Sequence, residues 1–211
     1  MCRMQSSIIS MVLMLIVNLA VFAQPPEWTF DDPDAEDELG TWGALNQLAP
    51  LEIDEVKDGS GNTRLVLLTE SLGGDPYMFP GGEWNVVSYE PFSGEEYDTL
   101  YMGVRVNAAN TWQVYYVTDA DGAWGEVQRQ NFDVNAVDDF EDIEVLLERG
   151  GWNLNTVLRF RIDPGTAAGI ESEIDYISFT GPPNVPQAVE AKGKLSTAWG
   201  AVKSRYDLRT R

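Results

Sequence analysis

Apolar and polar residues alternate one for one through several short runs of this chain, and each run ends at a turn signal. Leu100, Met102, Val104 and Val106 alternate with Tyr101, Gly103, Arg105 and Asn107. Trp112, Val114 and Tyr116 alternate with Gln113, Tyr115 and Val117, closed by Asp119-Ala120-Asp121-Gly122. Leu158, Phe160 and Ile162 alternate with Arg159 and Arg161 before Asp163-Pro164-Gly165, and a last strand carrying Ile174, Tyr176 and Phe179 stops at Gly181-Pro182-Pro183. Leu65-Val66-Leu67-Leu68 is a short apolar run between Asp58-Gly59-Ser60-Gly61-Asn62 and Gly73-Gly74-Asp75-Pro76. Successive side chains of a strand point to opposite faces, so these runs predict antiparallel strands with one buried face, assembled as an all-β sandwich or barrel. Residues 135–148, with Val137, Phe140, Ile143, Val145, Leu146 and Leu147, leave the element type open, a short helix before a strand being one reading. Trp28, Trp42, Trp112 and Trp152 read as core or edge packing.

The flanks of this body have a different character. Arg3 precedes an apolar stretch from Ile8 to Phe22, and Val21-Phe22-Ala23 offers small residues before Gln24-Pro25-Pro26. This is the pattern of a secretory signal peptide over residues 1–23, which predicts a secreted, cell-surface or periplasmic protein. No second apolar run of that length follows, so no transmembrane segment is expected in the mature chain. Residues 24–183 form the expected β-sandwich domain. Residues 184–211 form a linker and a basic tail, in which Leu195, Trp199, Val202 and Tyr206 recur at helical spacing among Lys192, Lys194, Lys203 and Arg205. Such an amphipathic helix would serve to dock on a protein partner, on the acidic domain or on an envelope, and a frayed tail is the alternative.

What the chain lacks narrows its chemistry. Its one cysteine is Cys2, inside the expected leader, and it has no histidine. Disulfides, a thiol nucleophile, a Ser-His-Asp triad and a zinc-imidazole site are therefore outside its reach. Charge is uneven: Gln24 to Pro183 holds 7 Lys and Arg against 32 Asp and Glu, while residues 184–211 hold 6 against 2. A body so acidic repels nucleic acid and anionic lipid. It suits calcium, which takes oxygen ligands, and equally suits plain solubility.

A succession of segments carries a family resemblance. Glu27-Trp28-Thr29-Phe30-Asp31-Asp32 opens it, followed by Leu39-Gly40-Thr41-Trp42, Gly73-Gly74-Asp75-Pro76-Tyr77 and Leu100 to Val106. Trp112 to Thr118, Leu158 to Pro164 and Glu173-Ile174-Asp175-Tyr176-Ile177 complete it. Over residues 27–180 the chain resembles the galactose-binding-like jelly rolls used as carbohydrate-binding modules in secreted bacterial proteins. The resemblance implies a jelly-roll β-sandwich and a noncatalytic carbohydrate-binding or adhesion role. It also implies a structural calcium tying the first strand to the last, with Glu27, Asp31, Asp32 and Asp175 as the matching acids. Asp119, Asp121 and Gly122 resemble the start of a calcium loop, but Gln130 stands where its closing glutamate belongs, so a hairpin turn is the reading there.

For a sugar, the expected site is the outward face opposite Met102, Val104, Trp112, Val114, Leu158 and Phe160. That face would carry Tyr101, Arg105, Gln113, Tyr115, Arg159 and Arg161, with the loop aromatics Tyr77, Phe79, Trp84 and Tyr89 nearby. Arginine pairs with carboxylate or sulfate and tyrosine stacks on a pyranose ring, so an acidic polysaccharide is the expected ligand. Cross-strand Arg/Tyr contacts also stabilise ordinary sheet faces. Two further functions stay open: a structural envelope protein making protein contacts, and a small glycan-cleaving enzyme using Glu173 and Asp175. The enzyme reading lacks the further glutamate expected soon after Asp175, where Tyr176-Ile177-Ser178-Phe179 stand instead.

Overall fold

The computed structural model describes residues 23–31, 33–82 and 86–183. The expected signal peptide, Asp32, Trp84 and the basic tail lie outside the described residues. After a five-residue helix, α1 (Ala35–Leu39), come β1 (Trp42–Leu48), β2 (Glu52–Lys57), β3 (Thr63–Pro80), β4 (Phe92–Ser93) and β5 (Thr99–Val106). Then follow β6 (Asn110–Thr118), β7 (Arg129–Val134), β8 (Glu141–Leu146), β9 (Thr156–Asp163) and β10 (Glu171–Ser178). The open stretch 135–148 thus supplies a strand, with Val145 and Leu147 buried in the core and Ile143 packed against it.

All pairings are antiparallel and fall into two sheets. The first runs β2-β3-β10-β5-β8 and the second β1-β3-β9-β6-β7, with β4 on β9. Strand β3 belongs to both: Thr63 to Glu70 pairs with β2 and β10, while Ser71 to Pro80 pairs with β1. The turn expected at Gly73-Gly74-Asp75-Pro76 is therefore corrected to a strand that crosses between sheets. Side chains of β1 replace the ladder at the crossing. Asn46, at φ 59, donates from Nδ2 to the Asp75 carbonyl at 2.5 Å, and the Asp75 amide donates to Gln47 Oε1 at 3.0 Å. Glycine is needed for closeness here, because a Cβ on Gly73 would lie 1.9 Å from Gln47 Oε1.

The facing sides of the sheets build one core. Leu100, Met102 and Val104 of β5 meet Trp112, Val114 and Tyr116 of β6, Phe160 and Ile162 of β9, and Ile174 and Ile177 of β10. Trp28, Trp42, Trp112 and Trp152 are all buried, in line with the core or edge packing read from the sequence. Each such side chain contributes about 1.5–3 kcal/mol by leaving water. Leu158 is a correction: it is half-buried, and Val157 enters the core instead, where the register shifts opposite Val117 and Thr118. The start of the described chain is tied to the last strand by backbone. Trp28 N–H donates to the Ile177 carbonyl at 2.9 Å, and Ile177 N–H returns to Trp28 at 2.8 Å.

Candidate functional site

Register decides which outward side chains meet. On the second sheet, Tyr115 of β6 stands directly opposite Arg161 of β9, and Gln113 opposite Asp163. Tyr77 enters the same face from the crossing half of β3, and Arg129 from β7, where it opposes Tyr115. The Arg161 guanidinium carbon lies 4.1 Å from the Tyr77 ring centroid and 4.2 Å from that of Tyr115. Arg161 Nη2 donates to Asp163 Oδ2 at 2.9 Å, and Asp75 Oδ1 is 3.8 Å away. Arg129 Nη1 donates to the Tyr115 hydroxyl at 3.1 Å and pairs with Glu126 at 2.5 Å. The β6–β7 connection also brings Trp124 over the face, its ring 5.9 Å from the Arg159 guanidinium carbon.

This outward face holds charges where a sheet surface ordinarily leaves them in water. Arg161 is 9% exposed and Asp163 1% exposed. Burial pushes the Asp163 carboxyl up to about 7 against the pull of Arg161. Among the described residues, Asp163 Oδ1, Arg161 Nε and Arg129 Nε are buried without a hydrogen-bond partner. Groups left this way oppose folding unless a partner outside the protein meets them. Tyr77 and Gln113 are half-buried above this layer, and the Asp75 side chain is 62% exposed at its edge.

Five of the eight expected ligand-binding residues therefore share one face: Tyr77, Gln113, Tyr115, Arg159 and Arg161. Tyr101 and Arg105 do not join them. They project from β5 on the outer face of the first sheet, across the core, so the single arginine face of the sequence reading divides in two. Arg105 donates from Nε to Glu173, and its guanidinium carbon lies 4.7 Å from the Phe140 ring, which Arg64 approaches at 5.0 Å. Tyr101 is half-buried, opposite Glu144. Phe79 and Tyr89 go to packing: Phe79 is 4% exposed, and Tyr89 lies against the core.

Of the acids that the resemblance matches to calcium, Asp31 lies near enough to Asp175 to act on its carboxyl electrostatically. Asp175 accepts from Arg64 Nη1 at 2.5 Å, Glu27 is exposed, and no three His, Cys, Asp or Glu among the described residues gather in metal-binding geometry. The carboxylates of the Glu173 and Asp175 pair each meet an arginine, Arg105 and Arg64.

Sequence reasoning missed Asp163, Asp75, Arg129 and Trp124. Asp163 carried a signal, since it continues the outward period of Arg159 and Arg161, but it was assigned to the turn. Asp75 was hidden in the same way. Trp124 and Arg129 owe their places to the path of a connection that no periodicity records.

No family model matches this chain, and no curated protein matches it. Solved structures match in shape. One is a family 11 carbohydrate-binding module of a cellulosomal cellulase of Clostridium thermocellum, 10% identical, covering 65% of this chain and 87% of that one, with a TM-score of 0.40. Another is CsCBM6-3 from Clostridium stercorarium in complex with cellobiose, 10% identical, covering 64% and 91%, with a TM-score of 0.35. These are jelly-roll β-sandwiches of the carbohydrate-binding-module type. A third match, to an exo-beta-agarase, is 10% identical with a TM-score of 0.49, and covers 65% of this chain but only 22% of the agarase chain. At such identities the likeness is one of fold.

Proposed function

We propose that this protein is a noncatalytic carbohydrate-binding module that takes its ligand on the outer face of the second sheet. The observation that carries the reading is Arg161, held between Tyr77 and Tyr115 over the buried Asp163. A pyranose has an apolar C–H face and a rim of hydroxyls. Tyr77 and Trp124 supply rings for the first, and Gln113 and Asp75 supply planar polar groups for the second. Catalysis is no part of the proposal, because Glu173 and Asp175 are occupied by arginines on the opposite face.

The ligand we infer is an uncharged polysaccharide, which replaces the acidic one expected from the count of arginines. Arg161 is offset in part by Asp163 and Arg129 pairs with Glu126, while Asp75 and Asp133 add negative charge to the same sheet. The test is affinity electrophoresis of residues 24–211 through gels containing soluble neutral or uronate polysaccharides. Retardation by a neutral polymer, abolished in Tyr77→Ala, supports the proposal. Unretarded migration in every gel would reject it and favour a structural protein that makes protein contacts.

A further inference from the structure

On the opposite side of the molecule, the outer face of the first sheet contains a cleft of about 480 Å³. Its floor is β3, β10 and β5, and Pro50 and Val137 stand at its sides. The lining acids are Glu52, Glu70, Glu171 and Glu173. Arg105 takes Glu173, whereas no lysine or arginine among the described residues pairs with Glu52, Glu70 or Glu171. Glu70 and Glu171 stand directly opposite each other in the β3–β10 ladder. Like charges in that position repel, so the sheet holds the pair at a cost in stability that a cation would relieve. Between the acids lie Leu68, half-buried, and Val137, 43% exposed. The face thus offers a strip of apolar surface framed by negative charge.

We propose that this cleft receives the chain's own basic segment, residues 184–211, as an intramolecular docking site. Charge complementarity selects the occupant: the segment holds 6 Lys and Arg against 2 Asp and Glu, while the body before it is strongly acidic. Pattern complementarity does the same. Leu195, Trp199, Val202 and Tyr206 share one side at helical spacing, suited to Leu68 and Val137, and Lys192, Lys194, Lys203 and Arg205 border them. The reach suffices. Strand β10 begins in the cleft at Glu171, and Pro183 follows 12 residues later, at most about 40 Å along an extended chain. Residues 184–191 extended, followed by a helix of some fifteen residues, span about 50 Å. Because the segment is covalently attached, its effective concentration at the cleft is of millimolar order, and modest contacts are enough to hold it. The second sheet's arginines face the other way, so this inference does not rest on glycan binding.

The experiment is limited trypsin digestion of residues 24–211, following cleavage at Lys192, Lys194, Lys203 and Arg205 by mass spectrometry. It compares the natural chain with Glu52→Gln/Glu70→Gln/Glu171→Gln, which keeps side-chain shape and removes charge. Docking predicts cleavage ~10-fold slower in the natural chain than in the variant, as a segment docked about 90% of the time would give. It also predicts that the difference vanishes near 1 M salt, where screening acts within about 3 Å. The variant's melting temperature serves as the fold control and should hold or rise. Equal cleavage rates in the two proteins would overturn the proposal. So would protection that survives the substitutions, which places the segment elsewhere, or protection that grows with protein concentration, which assigns it to a second molecule.

Discussion

Arg64 Nη1 donates to Asp175 Oδ2 at 2.5 Å, joining positions 111 residues apart on the outer face of the first sheet. The Asp175 side chain is only 16% exposed, and Arg64 is also held by Asp58 at 3.4 Å. Arg64→Met should therefore destabilise the domain by about 1–3 kcal/mol in urea melts, because it strands a largely buried carboxylate. In the natural chain the guanidinium already neutralises Asp175, so chelation with EDTA should leave the melting temperature unchanged. A fall on chelation would return Asp175 to the calcium reading.

Asp163 gives a pH dependence of definite sign. Its folded-state value near 7 lies above the ordinary 3.8, so the native state binds this proton more tightly than the unfolded chain. The stability it confers is fully present below about pH 4 and is lost as pH rises through 7. Urea melts at pH 5 and pH 8 should show a loss in the natural protein that is smaller in Asp163→Asn. Identical pH profiles would show that the carboxyl titrates in its ordinary range.

Arg161 and Tyr77 separate support from contact. Arg161→Ala leaves Asp163 buried without its partner, a carboxyl that then takes up a proton, and should cost about 1–3 kcal/mol. Adding Asp163→Asn to it should restore part of that loss, a coupling readable in a double-mutant cycle. Tyr77→Ala, at a half-buried position, should abolish retention by polysaccharide gels while lowering stability far less. If both substitutions act only through stability, the face is structural.

Gly103 tests the packing of the first sheet's outer face. A Cβ there would lie 2.7 Å from the Tyr176 ring, whose hydroxyl donates to Asp142 Oδ1 at 2.8 Å. Gly103→Ala should cost about 1–3 kcal/mol by displacing that ring. A melting temperature equal to the natural protein's would show that the ring moves freely aside.

Much of this architecture was legible in the residues. The outward positions of Gln113 and Tyr115 on β6, and of Arg159 and Arg161 on β9, follow from alternation. Alternation fixes which way a side chain points within its own strand, but not which strands become neighbours. For that reason Arg105, correctly read as outward, was grouped with arginines that lie across the core. Glycine and proline at 73–76 misled for a related reason. Their local preference is for a turn, and long-range bonds from Asn46 and Gln47 hold them extended. The burial of Asp163 could not be seen at all, because it arises from Tyr115, Arg161 and a connection that meet only in three dimensions.

The path of β3 through both sheets has a mechanical consequence. The strand that completes one layer is the same peptide that completes the other, so a load carried along β3 passes from one layer into the next. Pulled from its two ends in a single-molecule experiment, the domain should yield in one rupture, with no half-unravelled plateau.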